Sequence, residues 1–193
     1  MNAVLFDLFG VLLRERTDAG RRRVERAVGG DAGMWPIYDD LRPAYDSGDV
    51  SDERFWRQLQ VRAGLDPFDI SEAVAADWES SMEEDPEMVA LALSLIDDRV
   101  CTGILSNLPA GLAKRARAEH EWLGRFDAVT MSCDIGVIKP DPRAYAVALD
   151  AMGVPAKGTF YFDADPVNVA AAAELGMNAV LFTGVDSVRE ALA

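Results

Sequence analysis

Short apolar runs separated by segments of helical length fill the second half of the chain. The apolar runs that predict strands are Cys101 to Asn107, Phe126 to Ser132, residues 135–140, Thr159 to Asp163 and Ala179 to Thr183. The intervening segments that predict helices are residues 111–120, 142–149 and 167–175. Strands that alternate with helices are joined by right-handed crossovers and form a largely parallel sheet. The pattern therefore predicts a doubly wound, mainly parallel α/β core.

The first half of the chain opens with one strand and then changes character. Val4 to Gly10 is an apolar run ended by glycine, which is typical of a buried strand and a turn. From Leu13 to about Pro86 the sequence is rich in Arg, Asp and Glu, and its apolar residues recur at helical spacing. Ser51 is expected to cap one of these helices. We predict a Rossmann-like core from residues 1–13 and 88–193, and an inserted α-helical subdomain from residues 14–87.

The charge of the chain limits its partners. The 193 residues include 33 acidic and 19 basic side chains, for a formal net charge of −14. Such a charge repels phosphate backbones, so we expect no nucleic-acid partner. An anionic small-molecule substrate needs a local positive group or a metal ion to offset the same field. Oligomeric state is left open by the sequence.

Neither a targeting segment nor a membrane span is expected. Met1 to Leu13 is apolar, but it has no basic leader and Asp7 interrupts it, unlike a signal peptide. No run of about 18 apolar residues occurs, so we expect no transmembrane helix and a cytoplasmic location.

Cysteine and histidine usage excludes several kinds of chemistry. Cys101 and Cys133 form no C-x-x-C unit, which argues against a disulfide framework and a zinc ribbon. The one histidine, His120, lies in polar helical sequence and is expected on the surface, so a Ser-His-Asp triad is not predicted. Carboxylates, hydroxyls and amines must carry any reaction.

Polar side chains follow three of the predicted strands at the point where each strand ends. They are Asp7, the pair Ser106 and Asn107, and the pair Asp163 and Asp165. Ligands of open parallel sheets bind at the carboxyl ends of the strands, near the topological switch point. Lys139, in a turn, would bring an ammonium group to the same edge. The sequence thus predicts an anion-binding site there.

Four segments together resemble the motifs of the haloacid dehalogenase-like hydrolase superfamily. They are Phe6 to Leu12 (FDLFGVL), Ile104 to Asn107 (ILSN), Val137 to Pro142 (VIKPDP) and Phe162 to Asn168 (FDADPVN). Their order and spacing fit across nearly the whole chain, and the inserted subdomain matches the cap of that family. The resemblance is specific to the superfamily and says much less about the substrate.

The resemblance implies a role for each polar residue of the set. Asp7 is expected to be the nucleophile that forms an aspartyl intermediate. Ser106 is expected to hydrogen-bond a phosphoryl oxygen of the substrate, with Asn107 shaping the loop. Lys139 is expected to act in catalysis and substrate binding by neutralising charge on the nucleophile and the substrate.

The resemblance also implies a Mg²⁺ ion, and it is here that the sequence departs from the phosphatases of the family. The expected oxygen ligands are Asp7, the backbone carbonyl of Phe9, Asp163 and Asp165. The phosphatases usually have an aspartate as general acid where Phe9 stands, and a second acid where Ala164 stands. Losing a general acid costs on the order of 10²–10⁴ in rate.

These departures leave three functions open. We favour a phosphatase that acts on a small phosphorylated metabolite through an aspartyl-phosphate. An aromatic residue at position 9 is also similar to the metal-independent 2-haloacid dehalogenases, although their fourth motif is dominated by Ser and Asn. The third alternative is a binding module with a decayed active site.

Two further features of the inserted subdomain bear on the substrate. The first is a group of six arginines near its start: Arg14, Arg16, Arg21, Arg22, Arg23 and Arg26. We expect a solvated helix face, with contact between the substrate and Arg14 or Arg16 as the alternative. The second is a set of tryptophans, Trp35, Trp56 and Trp78, expected to pack the core of the subdomain.

Overall fold

A parallel sheet forms the centre of the protein. The computed structural model describes residues 3–193, and within that range the strands are β1 (Ala3–Phe6), β2 (Cys101–Ser106), β3 (Ala128–Met131), β4 (Thr159–Asp163) and β5 (Asn178–Leu181). The strand order is β3-β2-β1-β4-β5, and every neighbouring pair is parallel. The chain builds outward from β1 in one direction and then in the other, which puts a switch point between β1 and β4. The predicted doubly wound α/β core is confirmed.

Helices surround this sheet and fill the segment after β1. In chain order they are α1 (Asp18–Val28), α2 (Trp35–Asp46), α3 (Asp52–Ala63), α4 (Ile70–Glu79), α5 (Pro86–Asp97), α6 (Ala110–Glu119), α7 (Ser132–Ile135), α8 (Pro142–Met152), α9 (Pro166–Glu174) and α10 (Val185–Leu192). As predicted, Ser51 caps α3. Asp141 caps α8, which has Pro142 at its first position.

The central strand is buried on both faces because helices cover both sides of the sheet. Val4 and Phe6 belong to the apolar cluster packed by α5, α6 and α10. Ala3 and Leu5 point the other way, into the cluster packed by α8 and α9. Successive side chains of a strand alternate between faces, so a strand with two covered faces reads as one continuous apolar run.

The helices between β1 and α5 have an apolar core of their own. Helices α1 to α4 pack around Trp35, Trp56, Phe55 and Tyr45, all of them buried. Trp78 was predicted to join this core but does not. It packs against the apolar cluster that contains Val4 and Phe6, and it lies over Gly111 of α6. A Cβ atom at Gly111 would lie 2.3 Å from the Trp78 ring, so this glycine permits close contact between α4 and α6. The domain boundaries at residues 13 and 88 stay a prediction.

Two local predictions are wrong. Residues 135–140 are not a strand: α7 ends at Ile135, and Gly136, with φ +67°, turns the chain into a loop. His120 is buried, not exposed. Helix α6 ends at Glu119, and the imidazole turns inward, where its Nδ1 lies 3.4 Å from Glu84 Oε2.

Over residues 3–193, no helix combines the length and the apolar character needed to cross a bilayer. The cytoplasmic location stays a prediction.

Candidate active site

Asp7 lies directly after β1, at the carboxyl edge of the sheet. Its backbone N–H donates to the Phe162 carbonyl at 2.8 Å, so the extension of β1 stays paired with β4. Its side-chain Oδ1 accepts a hydrogen bond from the Leu8 N–H at 2.7 Å. A tight turn follows, in which Gly10 has φ +80° and a Cβ atom would lie 3.1 Å from Ala164 Cβ. The turn therefore requires glycine at position 10.

Lys139 lies between two carboxylates at this edge. Its Nζ is 2.8 Å from Asp7 Oδ1 and 2.7 Å from Asp163 Oδ2, and the ammonium group is buried. Asn107 holds the backbone of the lysine: its side-chain amide donates to the Lys139 carbonyl at 2.9 Å and accepts from the Lys139 N–H at 2.8 Å. The residue after β2 thus fixes the loop that carries the ammonium group.

Asp163, the last residue of β4, accepts four hydrogen bonds from its neighbours. Its Oδ2 accepts from Lys139, from the Tyr161 hydroxyl and from Asn168 Nδ2 at 3.1 Å. Its Oδ1 accepts from the Asp165 N–H at 2.8 Å. The sequence analysis did not single out Tyr161 or Asn168. Tyr161 could have been found from its spacing, because it lies two residues before Asp163 in β4 and side chains two apart on a strand point to the same face.

Burial and the second carboxylate set the charge state of Asp7. Loss of hydration raises the pKa of Asp7 from 3.8 to about 6, since it outweighs the attraction of Lys139, and the charge on Asp163 adds to the rise. The two carboxylates and one ammonium group carry a net charge of −1 when all are ionised. The site therefore attracts a cation or a proton.

One oxygen of Asp7 is free to react. In the described part of the chain, no hydrogen bond or ion pair ends on Asp7 Oδ2, and Asp7 is 8% exposed. Ser106 Oγ, at the end of β2, is buried and has no hydrogen-bond partner among residues 3–193. A free carboxylate oxygen and an unpaired hydroxyl are thus available for a bound molecule.

Asp165 is separate from this cluster. Its side chain accepts a hydrogen bond from the Val167 N–H at 2.8 Å, which caps α9, and the residue is exposed. No group of three His, Cys, Asp or Glu side chains in residues 3–193 is arranged to hold a metal ion. Mg²⁺ needs fewer, because it is often held by one or two carboxylates and several waters. The net charge of −1 fits such an ion, and the Asp7 and Asp163 carboxylates would hold it.

A cavity of about 390 Å³ opens between the inserted helices and the turn that follows Asp7, where Phe9 and Gly10 line it. On the core side, its walls are Phe9, Gly10, Asn107 and Leu112. On the other side, they are Arg14, Glu15, Arg16, Arg21, Arg42 and Ser81. Arg14 and Arg16 thus border the cavity together with two more arginines, and their contact with a substrate stays a prediction. Arg42 was missed because it is distant in sequence from the other arginines.

Comparison with known proteins agrees with this geometry. The family model described as haloacid dehalogenase-like hydrolase matches residues 1–176. A sesquiterpene phosphatase, astK, from Aspergillus oryzae is 26% identical over 165 residues, which cover 78% of this chain and 84% of that protein.

Solved structures share the fold at lower identity. A family enzyme from Bacteroides thetaiotaomicron, in complex with magnesium and inorganic phosphate, has a TM-score of 0.76 and 19% identity over 92% of this chain and 91% of its own. An L-2-haloacid dehalogenase from Xanthobacter autotrophicus, with chloropropionic acid covalently bound, has a TM-score of 0.71 and 20% identity over 98% and 81%. Because the family model spans most of the chain and the four motifs meet at one sheet edge, this protein belongs to the haloacid dehalogenase-like hydrolases.

Proposed function

We propose that the protein is a phosphatase that hydrolyses a small phosphorylated metabolite through an aspartyl-phosphate on Asp7. The observation that carries the proposal is the state of the Asp7 carboxylate. One of its oxygens is held by Leu8 N–H and Lys139, and the other has no partner among residues 3–193; Phe9 and Gly10, in the turn that follows, line the cavity. A nucleophile held in this way meets the substrate in a fixed orientation.

The reaction has two steps. Asp7 Oδ2 attacks phosphorus, the bond to the leaving oxygen breaks, and its electron pair leaves with that oxygen. The leaving group takes a proton from solvent, because Phe9 has none to give. Water then attacks the phosphorus of the aspartyl-phosphate, loses a proton to solvent, and releases inorganic phosphate with a regenerated Asp7 carboxylate. Lys139 and the unpaired Ser106 hydroxyl would hold phosphoryl oxygens during both steps.

Asp7, Asp163 and the Phe9 carbonyl are the groups that would hold Mg²⁺. The ion would neutralise charge on the phosphoryl oxygens. Support comes from the net charge of −1 at the site and from the relative solved with magnesium and phosphate. The phosphatase activity of the Aspergillus relative points the same way. We further propose that residues 14–87 act as a cap that selects the substrate.

Carbon–halogen hydrolysis is the second candidate, and Phe9 is the observation that favours it. An aromatic side chain replaces the acid that a phosphatase uses, and Lys139 already lies between the two carboxylates. In that reaction Asp7 would attack carbon, expel halide, and form an ester that water hydrolyses. Asp163 weighs against it, since the family's dehalogenases have Ser or Asn in the fourth motif.

Turnover by matched variants tests the proposal. We expect wild-type protein to hydrolyse an activated aryl phosphate, to lose this activity to a chelator and to regain it with Mg²⁺. Asp7→Asn should reduce turnover to background, whereas Asp39→Asn, the same change on the exposed side of α2, should not. Retained activity in Asp7→Asn would refute the covalent mechanism. Chelator-resistant turnover of a 2-haloacid would favour the dehalogenase, and no turnover of either substrate would favour a binding module.

A further inference from the structure

We infer that the arginines of the inserted segment bind a second oxyanion of the substrate, remote from the phosphoryl group that reacts at Asp7. The substrate would then be a phosphorylated compound with a second acidic group, such as a carboxylate. This inference rests on the proposed function and adds the substrate class to it.

Four arginines line the cavity, and two of them, Arg16 and Arg42, are held in place by buried residues outside it. Arg16 is ion-paired with the buried Asp77 at 2.5 Å, and its side chain is only 15% exposed. Arg42 is ion-paired with Asp46 at 2.7 Å and donates to the Tyr38 hydroxyl at 2.8 Å. Asp46, Asp77 and Tyr38 are buried and do not line the cavity, whereas both arginines do. Guanidinium groups fixed in this way lose little conformational freedom when they bind a ligand.

Arg21 is the arginine with a free charge. Among residues 3–193 it has no carboxylate partner, and its guanidinium group lies over the Trp35 ring, 4.8 Å from the ring centroid. Arg16 lies over the same ring at 5.3 Å. Trp35 thus gathers two guanidinium groups at the cavity.

The charge of the whole molecule makes this arrangement informative. A chain with a net charge of −14 repels an anion unless cations gather where the anion binds. Lys139 supplies one cation at the sheet edge, where the phosphoryl group would react. The arginines line the cavity across from Phe9 and Asn107, and among residues 3–193 Glu15 is the one carboxylate residue of the lining. A cation at the sheet edge and arginines on the cavity wall match a ligand with two separate anionic groups.

The same cavity suits a large hydrocarbon poorly. Phe9 and Leu112 are its only bulky apolar walls within residues 3–193, and most of the remaining lining is charged or polar. A sesquiterpenyl chain would have to leave water for a wall of guanidinium groups, which is unfavourable. A small diacidic substrate fits a volume of about 390 Å³ and pairs with those groups. We therefore expect a substrate unlike that named for the Aspergillus relative.

Aryl phosphates with one added charge test the inference. The probes carry a carboxylate at the meta position, at the para position or one methylene beyond it, and each is compared with its neutral carboxamide. We expect at least one carboxylate to exceed its amide by about 10- to 100-fold in kcat/KM, the range of a charge-assisted hydrogen bond. Arg21→Gln should bring that ratio close to 1. Arg22→Gln, on the same helix but outside the cavity, should leave it unchanged.

The outcomes separate this inference from the proposed function. If every carboxylate and amide pair reacts equally in wild-type protein while Asp7→Asn is inactive, the second-oxyanion site is refuted and the phosphatase stands. An unchanged ratio in Arg21→Gln refutes the role of Arg21 in the same way. If no probe turns over, calorimetry with the non-hydrolysable phosphonates of the same pairs measures the ratio as affinity. Equal affinities would then refute the site independently of catalysis.

Discussion

Asp7→Asn should stabilise the fold at neutral pH while it abolishes turnover. The physical reason is the burial that raises the pKa of Asp7 from 3.8 to about 6. Between these two values the folded protein binds a proton that the unfolded chain releases, so the stability that Asp7 contributes is fully present below pH 3.8 and is lost as the pH rises through about 6. Asparagine has no such proton and avoids this loss.

The size of the effect follows from the two pKa values. Their separation corresponds to about 3 kcal/mol at 1.36 kcal/mol per pKa unit. About 2 kcal/mol of this stability is lost between about pH 4.5 and about pH 7.5, because the folded protein releases the Asp7 proton around pH 6, inside that interval. The free energy of unfolding of Asp7→Asn minus that of wild type should therefore increase by about 2 kcal/mol over this interval.

Urea unfolding of both proteins without Mg²⁺ at the two pH values measures this difference, and subtraction removes the titration of groups that do not interact with Asp7. Asp141→Asn serves as the control. The side chain and backbone N–H of Arg143 lower the pKa of Asp141 to about 2. Both the folded and unfolded values lie below pH 4.5, so the difference between this variant and wild type should stay constant over the interval. A constant difference for Asp7→Asn as well would refute the conclusion that burial raises the pKa of Asp7.

Four further outcomes follow from the same structure. Turnover should fall at acid pH, because Asp7 must be ionised to attack and burial raises its pKa, and a pH profile of kcat/KM measures this. Lys139→Ala should reduce kcat by at least about 10²-fold in steady-state assays, the scale of losing a buried electrostatic stabiliser. Phe9→Asp should raise turnover of alkyl phosphates relative to aryl phosphates by up to about 10²–10⁴, and an unchanged ratio in a folded variant would contradict the missing-acid argument. Asp77→Ala should lower the free energy of unfolding by about 3–5 kcal/mol in urea titrations, because it leaves Arg16 unpaired.

Much of the fold was available from the sequence because its signals are local. The continuous apolar run of β1 reflects a strand covered on both faces, as Val4 and Leu5 on opposite sides of the sheet demonstrate. Ser51 and Asp141 cap the helices that follow them through hydrogen bonds to backbone groups two or three residues away. Such contacts depend on neighbouring residues alone.

The gathering of Asp7, Asn107, Lys139 and Asp163 could also be predicted, because it follows from topology. Parallel strands of one sheet end at the same edge, so residues that end three strands must lie near one another. What the sequence did not reveal was the order of contacts within the group. That Asn107 holds the Lys139 backbone, and that Tyr161 engages Asp163, depends on side-chain directions fixed only by packing.

Where a feature depends on packing between distant segments, the prediction from sequence was wrong or there was none. His120 has polar neighbours in sequence, yet it is buried, since the end of α6 turns it towards Glu84 and Trp122. Arg42 is 21 residues beyond Arg21, and the two line one cavity only because α1 and α2 fold around a common apolar core. The sequence by itself determined which strands and helices form and where the strands end, since these depend on local pattern and sheet geometry. The tertiary structure alone decided which charges face the cavity, because that depends on how separate helices pack.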